Sequence, residues 1–125
     1  MFTLRNVLLI NAVSSGATGL LLVLFSDFFA GLFGIESVSP FLETGIFLLA
    51  FAGFVFFEGR RNPMNTSRIR LIIVLDTLWV VASILLLLLQ PVAITLIGNA
   101  FIAAVALWVA AMAILQFRGL KQVTA

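Results

Sequence analysis

The chain contains no cysteine, no histidine and no tyrosine. Without cysteine there is neither disulfide nor thiolate chemistry. Without histidine, zinc sites of the Cys/His kind, His-ligated haem and Ser-His or Cys-His catalysis all lack their parts. Charge is scarce too: seven Lys and Arg and five Asp and Glu make 10% of 125 residues, where a soluble domain carries about 25%. So few charges cannot coat a water-facing surface. These absences argue against most enzymes, against Cys- or His-ligated metal and haem sites, so that no cofactor is expected, and against a soluble domain. The pI of about 10.6 does not point to nucleic acid either, because net charge is only +2 and the cations flank apolar runs instead of lining a groove.

What is present is apolar surface: 63% of residues are hydrophobic and mean hydropathy is +1.27. Residues 71–89, LIIVLDTLWVVASILLLLL, are interrupted only by Asp76, Thr77 and Ser83. A helix of that length reaches about 28 Å, close to the hydrocarbon thickness of a bilayer. Similar runs at 7–25, 41–57 and 92–117 complete an all-α, four-helix transmembrane bundle in a single integral membrane domain over 1–125. A signal peptide competes for the first run, but the apolar stretch resumes after Gly19, which is too long for a cleaved leader. Residues 26–34, SDFFAGLFG, read equally as one or two separate turns at a membrane surface or as a continuation of the first helix. Ser39-Pro40 reads as a helix start, with Ser39 as the capping hydroxyl. Residues 59–70 form a polar loop broken by Pro63, with Ser67 as the cap of the third span; Gln90-Pro91 reads as a tight turn.

Four spans put the head, the middle loop and the tail on one side. All seven cations fall there: Arg5, Arg60, Arg61, Arg68, Arg70, Arg118 and Lys121. The opposite loops hold only Asp27 and Glu36. The positive-inside rule then places both termini in the cytoplasm, as expected of a multi-pass protein of the cell inner membrane. Arg60, Arg61, Arg68 and Arg70 enforce that orientation and meet anionic headgroups, making the lipid bilayer the first partner. Together with this layout, the run LDTLWVVAS at 75–83 resembles the uncharacterised small four-span integral membrane proteins of bacteria. Two other four-span groups of this length, the small multidrug transporters and the dimeric fluoride channels, do not fit. Many of them work as antiparallel dimers with little charge bias. The glutamate of the first group's first span is missing, as are the Gly-rich and Thr-Phe-Ser-rich signatures of the second.

Small residues mark the faces along which helices approach closely in lipid. Ala12 with Gly16, Ser15 with Gly19, Gly45 with Gly53, Ala100 with Ala104 and Ala106 with Ala110 all recur at helical spacing, and Phe47, Phe51 and Phe54 form an aromatic stripe. Trp79 and Trp108 count to the same depth and are expected to meet across the third and fourth spans, either as core packing or as the wall of an apolar pocket.

The intramembrane polar residues are the chemical candidates. A charged side chain at the centre of a span costs on the order of 3 kcal/mol, so Asp76 needs a partner or a proton. Counting from the span ends gives Asn11 and Asp76 similar depths, which allows a hydrogen bond between them; an arginine reaching in from the loop is the other partner considered for Asp76. Ser14, Ser15 and Thr18 extend the stripe along the first span. Glu43, Asn99 and Ser83 lie in the opposite half. Read together, they form a polar track suited to a proton-coupled carrier or channel for a small solute. Read singly, Glu43 serves the dipole of its own helix and Glu58 sits beside Arg60 or Arg61. The expectation favoured here is a non-enzymatic protein acting through helix-helix contacts, as an accessory subunit, a homo-oligomer or a binder of an apolar ligand, with the carrier as the alternative.

Overall fold

The computed structural model describes residues 3–61, 63, 65–90 and 93–124. Among them are five helices and no strand: α1 Leu4–Leu24, α2 Ser26–Phe33, α3 Ser39–Arg60, α4 Thr66–Leu89 and α5 Leu96–Thr124. Four are long and apolar enough to cross a membrane, so the chain is a multi-pass helical bundle by length and composition. Pro91 of the expected turn and Val92, the expected start of the fourth span, lie outside the described residues, and α5 begins at Leu96.

Local chemistry sets the helix ends. Thr3 caps α1 by accepting the Asn6 N–H at 3.2 Å. At Phe25 the backbone leaves helical geometry (φ −119°, ψ 36°), so 26–34 does not continue α1 but forms α2, with Asp27 in its first turn. Gly34 closes α2 in the left-handed region at φ 73°, with Ile35 N–H bonded back to Ala30 O. α3 begins one residue earlier than the Ser39 cap implies: Val38 is the capping position, no side chain caps it, and Pro40 lies within the first turn. α4 is capped by Asn65, whose side chain accepts the Arg68 N–H at 3.1 Å, and not by Ser67. At its other end Gln90 turns left-handed (φ 45°), and its carboxamide donates to Leu86 O and Leu87 O at 3.1 and 3.2 Å. The Thr95 hydroxyl accepts the Gly98 N–H and donates to Leu32 O at 2.7 Å, so the start of α5 is stapled to the end of α2.

The tightest pairs are the sequential hairpins, α1 with α3 and α4 with α5. They join along α1 and α5, while the backbones of α3 and α4 approach at few places and meet through side chains, leaving α1 and α4 diagonal to one another. The α1–α3 crossing is set by two glycines. A Cβ on Gly19 would come within 2.7 Å of Gly45 O, and one on Gly45 within 2.8 Å of Gly19 O. The other small-residue pairs are used unevenly: Ala106 is buried, whereas Ala100 and Ala104 are exposed.

The apolar core is polarised towards one end. Leu4, Leu8, Ile69, Ile72, Val55 and Leu120 cluster where α1 and α4 begin and α3 and α5 finish. That end also carries the seven cations. Arg5 reaches across to donate to Gly59 O at 2.9 Å and Arg61 O at 3.3 Å, supplying partners to carbonyls at the end of α3. The buried Glu58 carboxylate is held by Arg61 and Arg68, at 3.5 and 3.1 Å; Arg60 instead lies over the Phe56 ring at 5.6 Å.

Gly45→Ala is expected to lower thermal stability in detergent by about 1–3 kcal/mol, because backbone must move to admit the methyl group. Gly53→Ala, where an added Cβ meets nothing within 4 Å, is expected to be neutral or slightly stabilising. Paired melting curves of the two variants check this.

Candidate functional site

Three helices place one polar side chain each at the same level inside the bundle: Asn11 on α1, Asp76 on α4 and Gln116 on α5. Each lies roughly 10–15 Å along its helix from the cationic end, given a rise of 1.5 Å per residue. All three are buried, at 1, 3 and 0% exposure. Asn11 Nδ2 donates to Asp76 Oδ2 at 3.0 Å and to Gln116 Oε1 at 2.9 Å; Gln116 Nε2 donates to the same Asp76 Oδ2 at 2.8 Å. Ser15, one turn further along α1, donates its hydroxyl to Asn11 Oδ1 at 3.2 Å. The result is a closed polar ring across α1, α4 and α5, with the carboxylate as its acceptor.

The expected Asn11–Asp76 bond is present, and no arginine reaches Asp76; the ion pairs among the described residues are those of Glu58. Gln116 was missed. It adjoins Phe117, the expected end of the last span, where a carboxamide is unremarkable; α5 in fact runs on to Thr124, and that extension carries Gln116 inside the bundle.

Beside the ring is a cavity of about 20 Å³ walled by Ser15, Asp76, Phe47, Phe51, Trp79 and Val109, among others. That is room for one water-sized particle. Phe47 stacks on Phe51 at 6.0 Å and on Trp79 at 6.5 Å, their planes 14° and 9° apart, so an aromatic stack closes the sparsely packed seam between α3 and α4. Two residues of the aromatic stripe, Phe47 and Phe51, thus border the site, while Phe54 packs against the core.

The tryptophans do not meet. Trp79 faces the cavity, while Trp108 is 46% exposed and its indole N–H donates to Ser14 Oγ at 3.0 Å across α1 and α5. They sit on faces pointing different ways, so no two-tryptophan pocket forms.

Nor does a continuous polar track form. Glu43 is exposed. Asn99 is engaged with Gln90, whose Nε2 donates to Asn99 Oδ1 at 2.9 Å. Ser83 is buried but bonds Trp79 O of its own helix at 2.8 Å. Ser14 and Thr18 likewise donate to carbonyls of α1, the usual way such hydroxyls are satisfied in an apolar helix. Only Ser15, Asn11 and Asp76 come together. Of the loop cations, Arg61 and Arg68 hold Glu58, Arg60 lies on Phe56 and Arg70 is exposed.

A ring of this kind can bind four side chains into one unit and can present a carboxylate to a single small guest. No family model, curated protein or solved structure matches this chain.

Because Asn11 and Gln116 share one acceptor and bond each other, their contributions to stability are expected to be non-additive. A double-mutant cycle of Asn11→Ala and Gln116→Ala in detergent should give a coupling of at least about 0.5 kcal/mol. Additive losses would mean that the two side chains act independently.

Proposed function

We propose that this chain is a small non-enzymatic multi-pass membrane protein, with both termini cytoplasmic, that works through helix-face contacts as an accessory subunit or a homo-oligomer. The observation that carries this reading is the closed interior. Where Asn11, Asp76 and Gln116 converge, the free space beside them is about 20 Å³, against the several hundred Å³ of a ligand or substrate pocket. An apolar ligand does not fit beside the ring; the open groove of about 390 Å³ along Leu9, Ile10, Val13 and Ala17 belongs to the outer face of α1. The surface, by contrast, is broad and apolar: Val13 on α1 and Leu107 on α5 are 67 and 73% exposed. Such a face meets lipid or another helix.

The proposed orientation rests on charge. Seven cations gather at one end, and three of them, Arg60, Arg61 and Lys121, lie over the rings of Phe56, Phe57 and Phe117. Rings facing acyl chains with cations above them suit the headgroup level of an anionic leaflet, as on the cytoplasmic side of a cell inner membrane.

The rival reading, a proton-coupled carrier using Asp76 and Glu43, draws support from the position of Asp76 on the cavity wall. Against it stands the separation of Glu43, Asn99 and Ser83 from the ring. Proteoliposomes discriminate: solute-linked proton uptake that disappears in Asp76→Asn while assembly is intact would replace the contact reading with the carrier.

The native chain has no cysteine, so orientation and contacts can both be read from single additions. Glu36→Cys is expected to react with an impermeant maleimide on intact cells, and Lys121→Cys only after permeabilisation. A photo-crosslinking residue at Val13 or Leu107 is expected to give a discrete protein adduct in native membranes. Adducts to lipid alone at both positions would count against the contact reading.

A further inference from the structure

The geometry points to a second property, independent of the contact reading: the cavity beside Asp76 is a binding site for one monovalent cation of about the size of a water molecule, with the Asp76 carboxylate as its counter-charge. Three observations carry it together. The first is an uncompensated acid. Asp76 is 97% removed from solvent, its bonded partners Asn11 and Gln116 are neutral carboxamides, and both donate to the same oxygen, Oδ2. Both N–H groups are met by one oxygen, and among the described residues no cationic side chain bonds the acid or lines the cavity beside it.

The second is the space. The cavity is bordered by Asp76 and has room for a single particle of water size. The third is the wall chemistry. Ser15 brings a hydroxyl oxygen, and Phe47, Phe51 and Trp79 bring aromatic rings. So apolar a wall leaves the attraction between the carboxylate and a cation little screened. No other titratable side chain lines the space, so one charge is to be matched, which a monovalent ion does and a divalent ion overshoots. Sodium, potassium and ammonium all fall within the size limit, whereas a bulky organic cation does not.

The test uses the full chain in uncharged detergent and in the Trp108→Phe background, which leaves Trp79, on the cavity wall, as the reporting indole. At constant ionic strength and pH, N-methylglucamine chloride is replaced stepwise by the chloride of sodium, potassium or ammonium. For at least one of the three, a saturable change in Trp79 emission and a rise in the melting temperature are expected, with the titration midpoint shifted at least tenfold to higher concentration in Asp76→Asn. Ser15→Ala provides a second variant if Asp76→Asn does not fold, and is expected to shift the midpoint severalfold. The proposal is overturned by the absence of any response to the three ions, by responses equal to that of N-methylglucamine, or by a midpoint that neither variant moves.

Discussion

A carboxylate taken into an apolar bundle has to be met by hydrogen-bond donors, and in this protein the donors come from two other helices. That requirement fixes more than Asp76. The diagonal helices α1 and α4 make no close backbone approach among the described residues, so the Asn11–Asp76 bond spans the bundle where packing does not. Gln116 closes the triangle from α5. Rotating any of the three helices by one residue, about 100°, would carry its member out of reach and strand a buried polar group. Dispersion contacts among leucines and valines tolerate such slippage far better, because one aliphatic surface substitutes for another. The ring therefore selects one register out of many that lipid-compatible surfaces would allow.

The remaining fixed points sit at the bundle's ends or at its tightest crossing. Gly19 and Gly45 bring the backbones of α1 and α3 together where any side chain would hold them apart. In lipid, where sequestering apolar surface contributes little to helix association, such close approach is the main source of attraction between helices. At the cationic end, Arg5 satisfies carbonyls of Gly59 and Arg61 while Arg61 and Arg68 enclose Glu58. At the other end, Thr95 ties α5 to α2 and Gln90 closes α4. Every long helix is thus held by directional bonds at one end or both.

Depth was legible in the sequence; direction was not. Counting residues along a span gives position across the bilayer, because the rise per residue is constant. It put Asn11 level with Asp76, and the structure joins them. The same count put Trp79 level with Trp108, yet one lines the cavity and the other faces outward. Which way a side chain faces depends on which neighbours the helix chooses, and a chain apolar on all sides carries almost no periodic signal of that choice. Asn99 and Ser83 show the same limit: both were placed in the outer half, but each bonds locally instead of joining a track. Helix starts were ambiguous for a different reason. Asn65, Thr66 and Ser67 are all competent caps, and composition alone cannot choose among three adjacent residues of the same chemistry.

The polar ring also explains why the seam between α3 and α4 can stay sparse. α4 is bound to α1 and α5 through Asp76, and to α3 at the cationic end through the Glu58–Arg68 ion pair, so the backbones of α3 and α4 need approach one another at few places. Aromatic side chains fill the gap: Phe47 stacked between Phe51 and Trp79 covers an opening that aliphatic packing leaves. Rings suit this task because they are large, rigid and flat, so a stack can separate or close with little loss of rotamer freedom. Behind that stack lies the cavity that Asp76 borders. The bundle thus combines a firmly bonded side, α1 with α3 and α5, with a side closed mainly by stacked rings.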